Sequence, residues 1–225
     1  MVEGQQFADR LFHEIDEKQS QVVVGLDPRM NMMPEEVIEG VGRSAEGAAE
    51  AIVRFNEGVL DAVSDIAAAV KPQIAFYERY GLAGLSAYVR TIQMARERDL
   101  LVIGDVKRND IGSTAEAYAE GHLNGRDGDD WAVEGGFHAD AITINPLFGS
   151  DGIEPFVRRA ATGGGGLFVL AKTSNPSSAE IQDLACPKGP VYERISELID
   201  KWGEEVIGEC GYSLVGAVVG ATFPA

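Results

Sequence analysis

The sequence has little cysteine and no long apolar run. Its two cysteines, Cys186 and Cys210, are too few for a disulfide framework or a cysteine-based metal site. No apolar run reaches the roughly 20 residues that a membrane-spanning helix needs. The first residues, MVEGQQFADRLFHEID, lack the basic and apolar regions of a signal peptide. These absences predict a cytoplasmic protein with no membrane contact.

Positive charge is also scarce. The chain has 19 Lys and Arg residues against 36 Asp and Glu residues, which gives a net charge of −17. Without a basic stripe to neutralise phosphates, nucleic-acid binding is not an expected function. Only six of the basic residues are lysine. An acidic, lysine-poor surface is typical of proteins that stay dispersed at high salt, but an ordinary acidic cytosolic protein has the same composition. Both possibilities stay open.

What the sequence does have is a regular alternation of apolar segments and helical patterns. Most of these segments are continuous apolar runs, as in parallel strands that are covered by helices. The pattern predicts an α/β fold, either a (βα) barrel or an open doubly wound sheet. Six segments are predicted to be strands: 22–27, 67–73, 100–107, 141–146, 166–174 and 213–222.

The chain is predicted to form one domain over residues 1–225, because it contains no Pro/Ser-rich linker and no low-complexity tract. The polar segment HLNGRDGDDW (122–131) is predicted to be a solvated excursion rather than a boundary. Ser113 and Glu116 have the spacing of a capping box, which predicts a helix starting just after the third strand.

Charged residues follow several of the predicted strands. Asp27, Lys71, Asp105 and Lys172 each stand at or near the carboxyl end of one strand. The carboxyl ends of parallel strands meet at one face of a barrel, or at one crevice of an open sheet, and active sites form there. A single polar residue at a strand end is ordinarily just solvated. Its repetition at successive strands indicates a functional site.

The densest charges lie in VIGDVKRNDIGST (102–114). Asp105 and Lys107 are two residues apart, so an extended strand would point both to the same side. Asp110 follows in the turn before the helix. A lysine between carboxylates is kept charged, and it can still deliver a proton to a developing carbanion. Clustered carboxylates also repel a third carboxylate that is brought beside them. The pattern therefore suits a reaction in which the substrate loses a carboxylate group.

A structural role and a metal-binding role for these charges both stay open at this point. A structural ion-pair network has the same appearance in sequence. Asp105 and Asp110 could also bind Mg²⁺ with help from Asp27, although the intervening Lys107 and Arg108 oppose this. No P-loop and no dinucleotide-binding glycine fingerprint is present. The three histidines are predicted to lie on helices or loops away from the strand ends: His13, His122 and His138.

The charged segment resembles the signature of the orotidine 5'-phosphate decarboxylase family, in which D-x-K-R-x-D-I-G-S-T is matched by residues 105–114. Companion motifs match in the same order: GLDPR at 25–29, VKPQIAFYERYG at 70–81 and LAKTSNP at 170–176. The resemblance is to the bacterial and archaeal branch and runs from about residue 7 to the end of the sequence. D-x-K-x-x-D alone is less specific, because hexulose-phosphate synthases of the same barrel superfamily share it.

The resemblance implies a (βα)₈ TIM barrel that converts orotidine 5'-monophosphate to UMP and CO₂ without a cofactor or metal. It places Asp105 beside the substrate carboxylate and makes Lys107 the donor of the proton to C6 of the pyrimidine. Lys71 would hold Asp105 in place and bind a ribose hydroxyl.

The resemblance also implies substrate-binding residues and a homodimer. Asp27 would bind the ribose, and Ser174 the edge of the pyrimidine. Members of the family are dimers whose sites are completed across the interface, so Asp110 and Thr114 are expected to serve the site of the partner.

One departure from the family pattern concerns the end of the sequence. About six of the eight barrel strands are present, and the two C-terminal strands, with the Gln and Arg that grip the phosphate in the family, are missing. A chain of this length is therefore expected to be a weak or inactive catalyst. A non-catalytic nucleotide-binding or structural barrel remnant is the second hypothesis for its function.

Overall fold

Helices and strands alternate along the chain in a computed structural model, which describes residues 6–123 and 137–222. The α-helices are α1 (Phe7–Lys18), α2 (Glu35–Ile38), α3 (Ala45–Val63), α4 (Ala75–Glu78), α5 (Gly81–Arg96), α6 (Gly112–His122), α7 (Ser150–Gly163) and α8 (Val191–Gly203). The strands are β1 (Val23–Leu26), β2 (Ala69–Pro72), β3 (Leu101–Arg108), β4 (Ala141–Ile144), β5 (Gly166–Lys172), β6 (Ala185–Cys186), β7 (Gly189–Pro190) and β8 (Val215–Val219).

All six predicted strands are present, as β1 to β5 and β8. The short antiparallel hairpin of β6 and β7 was not predicted, because two-residue strands carry no hydrophobic period. The α/β class is therefore confirmed. Most of the predicted excursion, residues 124–131, lies outside the described residues.

The chain divides into two compact units, one of which holds residues 10–106 with 127–140. Within it β1, β2 and the first part of β3 pair in parallel. Helices α3 and α5 pack against each other around a core of large buried side chains. The largest members of this core are Ile52, Leu60, Tyr77, Tyr88 and Ile92.

The start of β3 is anchored by a buried aspartate in the same unit. Asp140 Oδ2 accepts a hydrogen bond from Val102 N at 2.9 Å, and Asp140 Oδ1 lies 2.7 Å from Arg10 Nη1. The Asp140 side chain is buried, so this ion pair and its backbone contact satisfy both carboxylate oxygens. The anchor fixes β3 at the end opposite to the predicted site residues.

The other unit consists of residues 1–9, 107–126 and 141–225. Here β4, β5 and β8 pair in parallel. All four residues of β4 are buried, which explains why this strand shows a continuous apolar run rather than alternation. On β5, Phe168 meets the ring of Phe7 edge-on, with ring centroids 6.0 Å apart.

No helix in the described parts of the chain is long and apolar enough to cross a membrane. Cys186 and Cys210 are both free thiols, as expected from their number.

Candidate active site

The buried carboxylate of the candidate site, Asp105, lies in a group with the half-buried Lys71 and Gln73, here named the Asp105 cluster. Lys71 Nζ donates to Asp105 Oδ2 at 2.9 Å, and Gln73 Nε2 donates to the same oxygen at 2.8 Å. Asp105 is only 5% exposed. Lys71 lies on β2 and Asp105 on β3, so parallel pairing of these strands brings the two side chains together. The predicted contact between Lys71 and Asp105 is present.

Asp27 lies at the neighbouring strand end in the same unit. It directly follows β1, whose pairing with β2 sets Gly25 opposite Lys71 and Leu26 opposite Pro72. Asp27 is exposed, unlike Asp105. The strand register therefore places an accessible carboxylate next to the end of β2.

The remaining charges of the signature lie in residues 107–114, here named the Lys107 segment. Lys107 is exposed and its backbone has φ of +47°, in the left-handed region. An extended strand would have alternated its side chains through this point, but the left-handed residue interrupts the alternation. The placement of Asp105 and Lys107 on one side therefore stays a prediction.

The turn after β3 leads into α6 differently from the predicted capping box. Asp110 Oδ1 accepts from Ile111 N at 2.8 Å, and α6 begins at Gly112, so Ser113 lies inside the first turn. The helix predicted after the third strand is present, but the capping box is wrong, because Gly112, with φ of +55°, lets the chain enter the helix two residues before the start that a Ser113 cap would set. Thr114 is exposed in the first turn of α6.

Ser174 lies exposed in the loop that follows β5. The neighbouring Thr173 is held at two points by Gln182. Thr173 N donates to Gln182 Oε1 at 2.9 Å, and Gln182 Nε2 donates to Thr173 Oγ1 at 2.7 Å. Lys172 forms an ion pair with Asp183. The loop is thus ordered by its own side chains while Ser174 stays accessible.

One set of contacts in this region was not predicted from the sequence: Arg108, within the Lys107 segment, meets Tyr118 and His122 on α6. Arg108 Nε donates to His122 Nε2 at 3.3 Å, and the Arg108 guanidinium lies 5.5 Å from the centre of the Tyr118 ring. Burial, followed by the nearby Arg108 charge, lowers the pKa of His122 to about 4. His122 was expected to lie away from the strand ends, but α6 brings its ring back to the last residue of β3. The helical spacing of Tyr118 and His122 was the available signal.

Gln73 was also missed as a partner of Asp105, although it lies in the KPQ motif. It follows β2 directly, and an isolated parallel bridge to Asp105 fixes its backbone. The Mg²⁺ hypothesis gains no support: no group of three or more His, Cys, Asp or Glu side chains within residues 6–123 and 137–222 is placed to hold a metal ion.

Comparison with known proteins identifies the family. The model of the orotidine 5'-phosphate decarboxylase / HUMPS family matches residues 20–225. A protein of Clostridium novyi named orotidine 5'-phosphate decarboxylase is 40% identical over 215 residues, which covers 95% of this chain and 70% of that protein. The chain belongs to the orotidine 5'-phosphate decarboxylase / HUMPS family.

Solved structures of orotidine 5'-phosphate decarboxylases give the same result for the fold. A Streptomyces avermitilis crystal structure, provisionally named as such a decarboxylase, matches with a TM-score of 0.79 and 34% identity, covering 99% of this chain and 72% of that one. The Leishmania donovani OMP decarboxylase matches with a TM-score of 0.73 and 30% identity, over 97% of this chain and 72% of that one. The predicted TIM-barrel fold, with about six strands present, is confirmed as the fold class of this family member.

Proposed function

We propose that this protein decarboxylates orotidine 5'-monophosphate to UMP and CO₂ in pyrimidine biosynthesis. The observation that carries the proposal is the contact of 2.9 Å between Lys71 Nζ and Asp105 Oδ2 in a chain of this family. Asp105 is buried and bonded, so a carboxylate of substrate placed beside it would meet a fixed negative charge. Lys71 and Gln73 hold that charge in position.

The reaction then needs only a proton donor. The bond between C6 and the carboxylate carbon breaks, CO₂ leaves, and the electron pair remains on C6. The Lys107 ammonium gives its proton to C6 and forms the C–H bond of UMP; water then returns a proton to the lysine amine. A positioned acid of this kind contributes about 10²–10⁴-fold, and the same ammonium stabilises the developing carbanion.

Binding of the remaining substrate is assigned to exposed side chains. Asp27 would accept hydrogen bonds from the ribose, together with the Lys71 ammonium as a donor, and Ser174 would contact the edge of the pyrimidine. Asp27 and Ser174 are both exposed, which supports these roles because a side chain that binds substrate must be accessible to it.

The proposal includes a homodimer in which Asp110 and Thr114 of one protomer serve the site of its partner. Three exposed apolar side chains lie near Asp110: Ile111, Leu147 and Phe148. The loop that holds Asp110 and the loop that holds Phe148 meet at Gly152. A Cβ added at Gly152 would lie 2.9 Å from Asp110 O and 3.0 Å from Phe148 Cβ. An apolar surface around a catalytic carboxylate is what a second copy would cover. The proposed location is the cytoplasm, where UMP synthesis would supply nucleotide precursors.

The test is an absorbance assay of orotidine 5'-monophosphate consumption, with UMP identified as the product. The protein that carries this sequence is expected to turn over the substrate. Its Lys107→Ala variant is expected to lose several orders of magnitude in kcat while it still binds UMP. If the wild-type protein binds UMP and releases no CO₂, the non-catalytic nucleotide-binding hypothesis replaces this one. If Lys107→Ala keeps more than about a tenth of the wild-type kcat, the lysine is not the acid.

A further inference from the structure

The backbone of Lys107 has a conformation that lysine rarely adopts. Its φ of +47° lies in the left-handed region, where side chains other than glycine are uncommon and strained. Such a residue keeps its conformation only when its surroundings hold it there. The neighbouring Arg108 is fixed through its carbonyl, which accepts from Asn145 N at 3.0 Å. A separate contact holds Lys107 itself.

The N–H of Lys107 is bonded to a side chain. Lys107 N donates to Thr143 Oγ1 at 3.0 Å. Thr143 is only 3% exposed and stands between Ile142 and Ile144, which are fully buried. A β-branched side chain in a packed strand has little freedom at χ1, so the hydroxyl oxygen is a fixed acceptor.

We propose that Thr143 is a positioning residue for the proton donor Lys107. Its hydroxyl replaces a main-chain carbonyl as the acceptor for Lys107 N, and this allows the chain to turn left-handed at the end of β3. The turn sets the direction of the Lys107 Cα–Cβ bond and hence the place its ammonium reaches. The proposal rests on the proposed function, since it concerns the acid of that reaction.

The consequence is an effect on turnover rather than on binding. Without the acceptor, Lys107 can relax towards the extended conformation, and its side chain changes direction. A displacement of about 1 Å in a reacting group can lower the rate by about 10²-fold. Ground-state ligands that do not use the proton would be held as before.

The experiment compares Thr143→Val, Thr143→Ala and Thr143→Ser in the protein that carries this sequence. Val keeps the shape of Thr and removes the acceptor, Ala removes it without branching, and Ser keeps it. Thr143→Val and Thr143→Ala are expected to lose about 10- to 100-fold in kcat, while their affinity for UMP stays within about threefold of wild type. Thr143→Ser is expected to keep kcat within about threefold of wild type. Thr91→Val is the matched control, because Thr91 is a fully buried threonine whose hydroxyl bonds Asn56 and Ala87 instead; it is expected to lower the unfolding temperature with kcat retained.

Two results would overturn the proposal. One is wild-type kcat in Thr143→Val or Thr143→Ala. The other is an equal loss in Thr143→Ser, because volume rather than the hydroxyl would then matter. Failure of the proposed function would look different from failure of this proposal. In that case the wild-type protein would show no turnover, or Lys107→Ala would have the same kcat as the wild-type protein.

Discussion

The Asp105 cluster and the Lys107 segment carry charges from one short motif, but they are held in different ways. In the Asp105 cluster, side chains bond one another, and two donors converge on a single oxygen of a carboxylate that is 5% exposed. In the Lys107 segment the side chains of Lys107 and Thr114 are exposed. Its backbone is held where Lys107 N donates to Thr143 Oγ1 and where Asn145 N donates to Arg108 O, and the Arg108 side chain donates to His122.

The difference teaches how the chain divides the work of a charge array. Charges that would stay fixed during the proposed reaction are bonded side chain to side chain, so their positions are established before substrate binds. Charges that would reach a substrate or a second protomer in the proposed function are left accessible, and bonds to the backbone fix the segment that carries them. The two regions therefore predict different consequences of substitution.

Removing the central carboxylate should break the Asp105 cluster most severely. Asp105→Asn keeps the shape but removes the charge that Lys71 and Gln73 surround, and we expect kcat to fall about a thousandfold or more. The matched control is Asp61→Asn, which removes an exposed aspartate paired with Arg98 at 2.6 Å in the same unit. A loss of less than tenfold in Asp105→Asn, measured in the same absorbance assay, would contradict the role of the cluster.

Acidification should loosen the support of the Lys107 segment. The pKa of His122 is about 4 in the folded protein and 6.5 when unperturbed, so between these values the unfolded chain binds the extra proton. Stability should therefore be complete above about pH 6.5 and fall by about 3 kcal/mol as pH is lowered to 4, since one pKa unit corresponds to about 1.4 kcal/mol.

His122→Gln isolates this contribution, because glutamine can still accept from Arg108 but does not titrate. Urea unfolding of both proteins from pH 7 to pH 4 gives the difference in their free energies of unfolding. Parallel pH profiles for the two proteins would show that His122 is not buried in its neutral form.

A smaller effect is expected from the second donor of the Asp105 cluster. Gln73→Leu removes one of two hydrogen bonds to Asp105 Oδ2 and leaves Lys71 in place. Because a hydrogen bond to a charged group is worth about 1.5–3 kcal/mol, kcat should fall about 10- to 100-fold. Gln93→Leu on the exposed face of α5 serves as the control. A loss as large as that of Asp105→Asn would show that Gln73 does more than orient the carboxylate.

The strands and the Lys71–Asp105 contact were predictable because they depend on patterns that survive in sequence. A strand such as β4, with all four residues buried, appears as an apolar run. Parallel pairing brings residues at the ends of β2 and β3 to the same edge, and the family resemblance implied that Lys71 holds Asp105 there.

The geometry of the Lys107 segment was not predictable, because it depends on partners far along the chain. The left-handed backbone of Lys107 needs an acceptor on β4, and the start of α6 at Gly112 depends on a glycine conformation rather than on the capping-box spacing. His122 reaches Arg108 only after the helix has formed. Local rules cannot supply such tertiary contacts.

The proposal that the Lys107 segment serves both its own site and that of a second protomer is tested most directly by subunit mixing. Lys107→Ala and Asp110→Ala are each expected to be inactive as purified homodimers. If Asp110 serves the partner's site, a mixed dimer has one site with both defects and one with neither, so free exchange of equal amounts should restore about a quarter of wild-type activity. Exchange is verified separately with two affinity tags. Complete inactivity of the verified mixed dimers would contradict the account, because both residues would then belong to the same site of one chain.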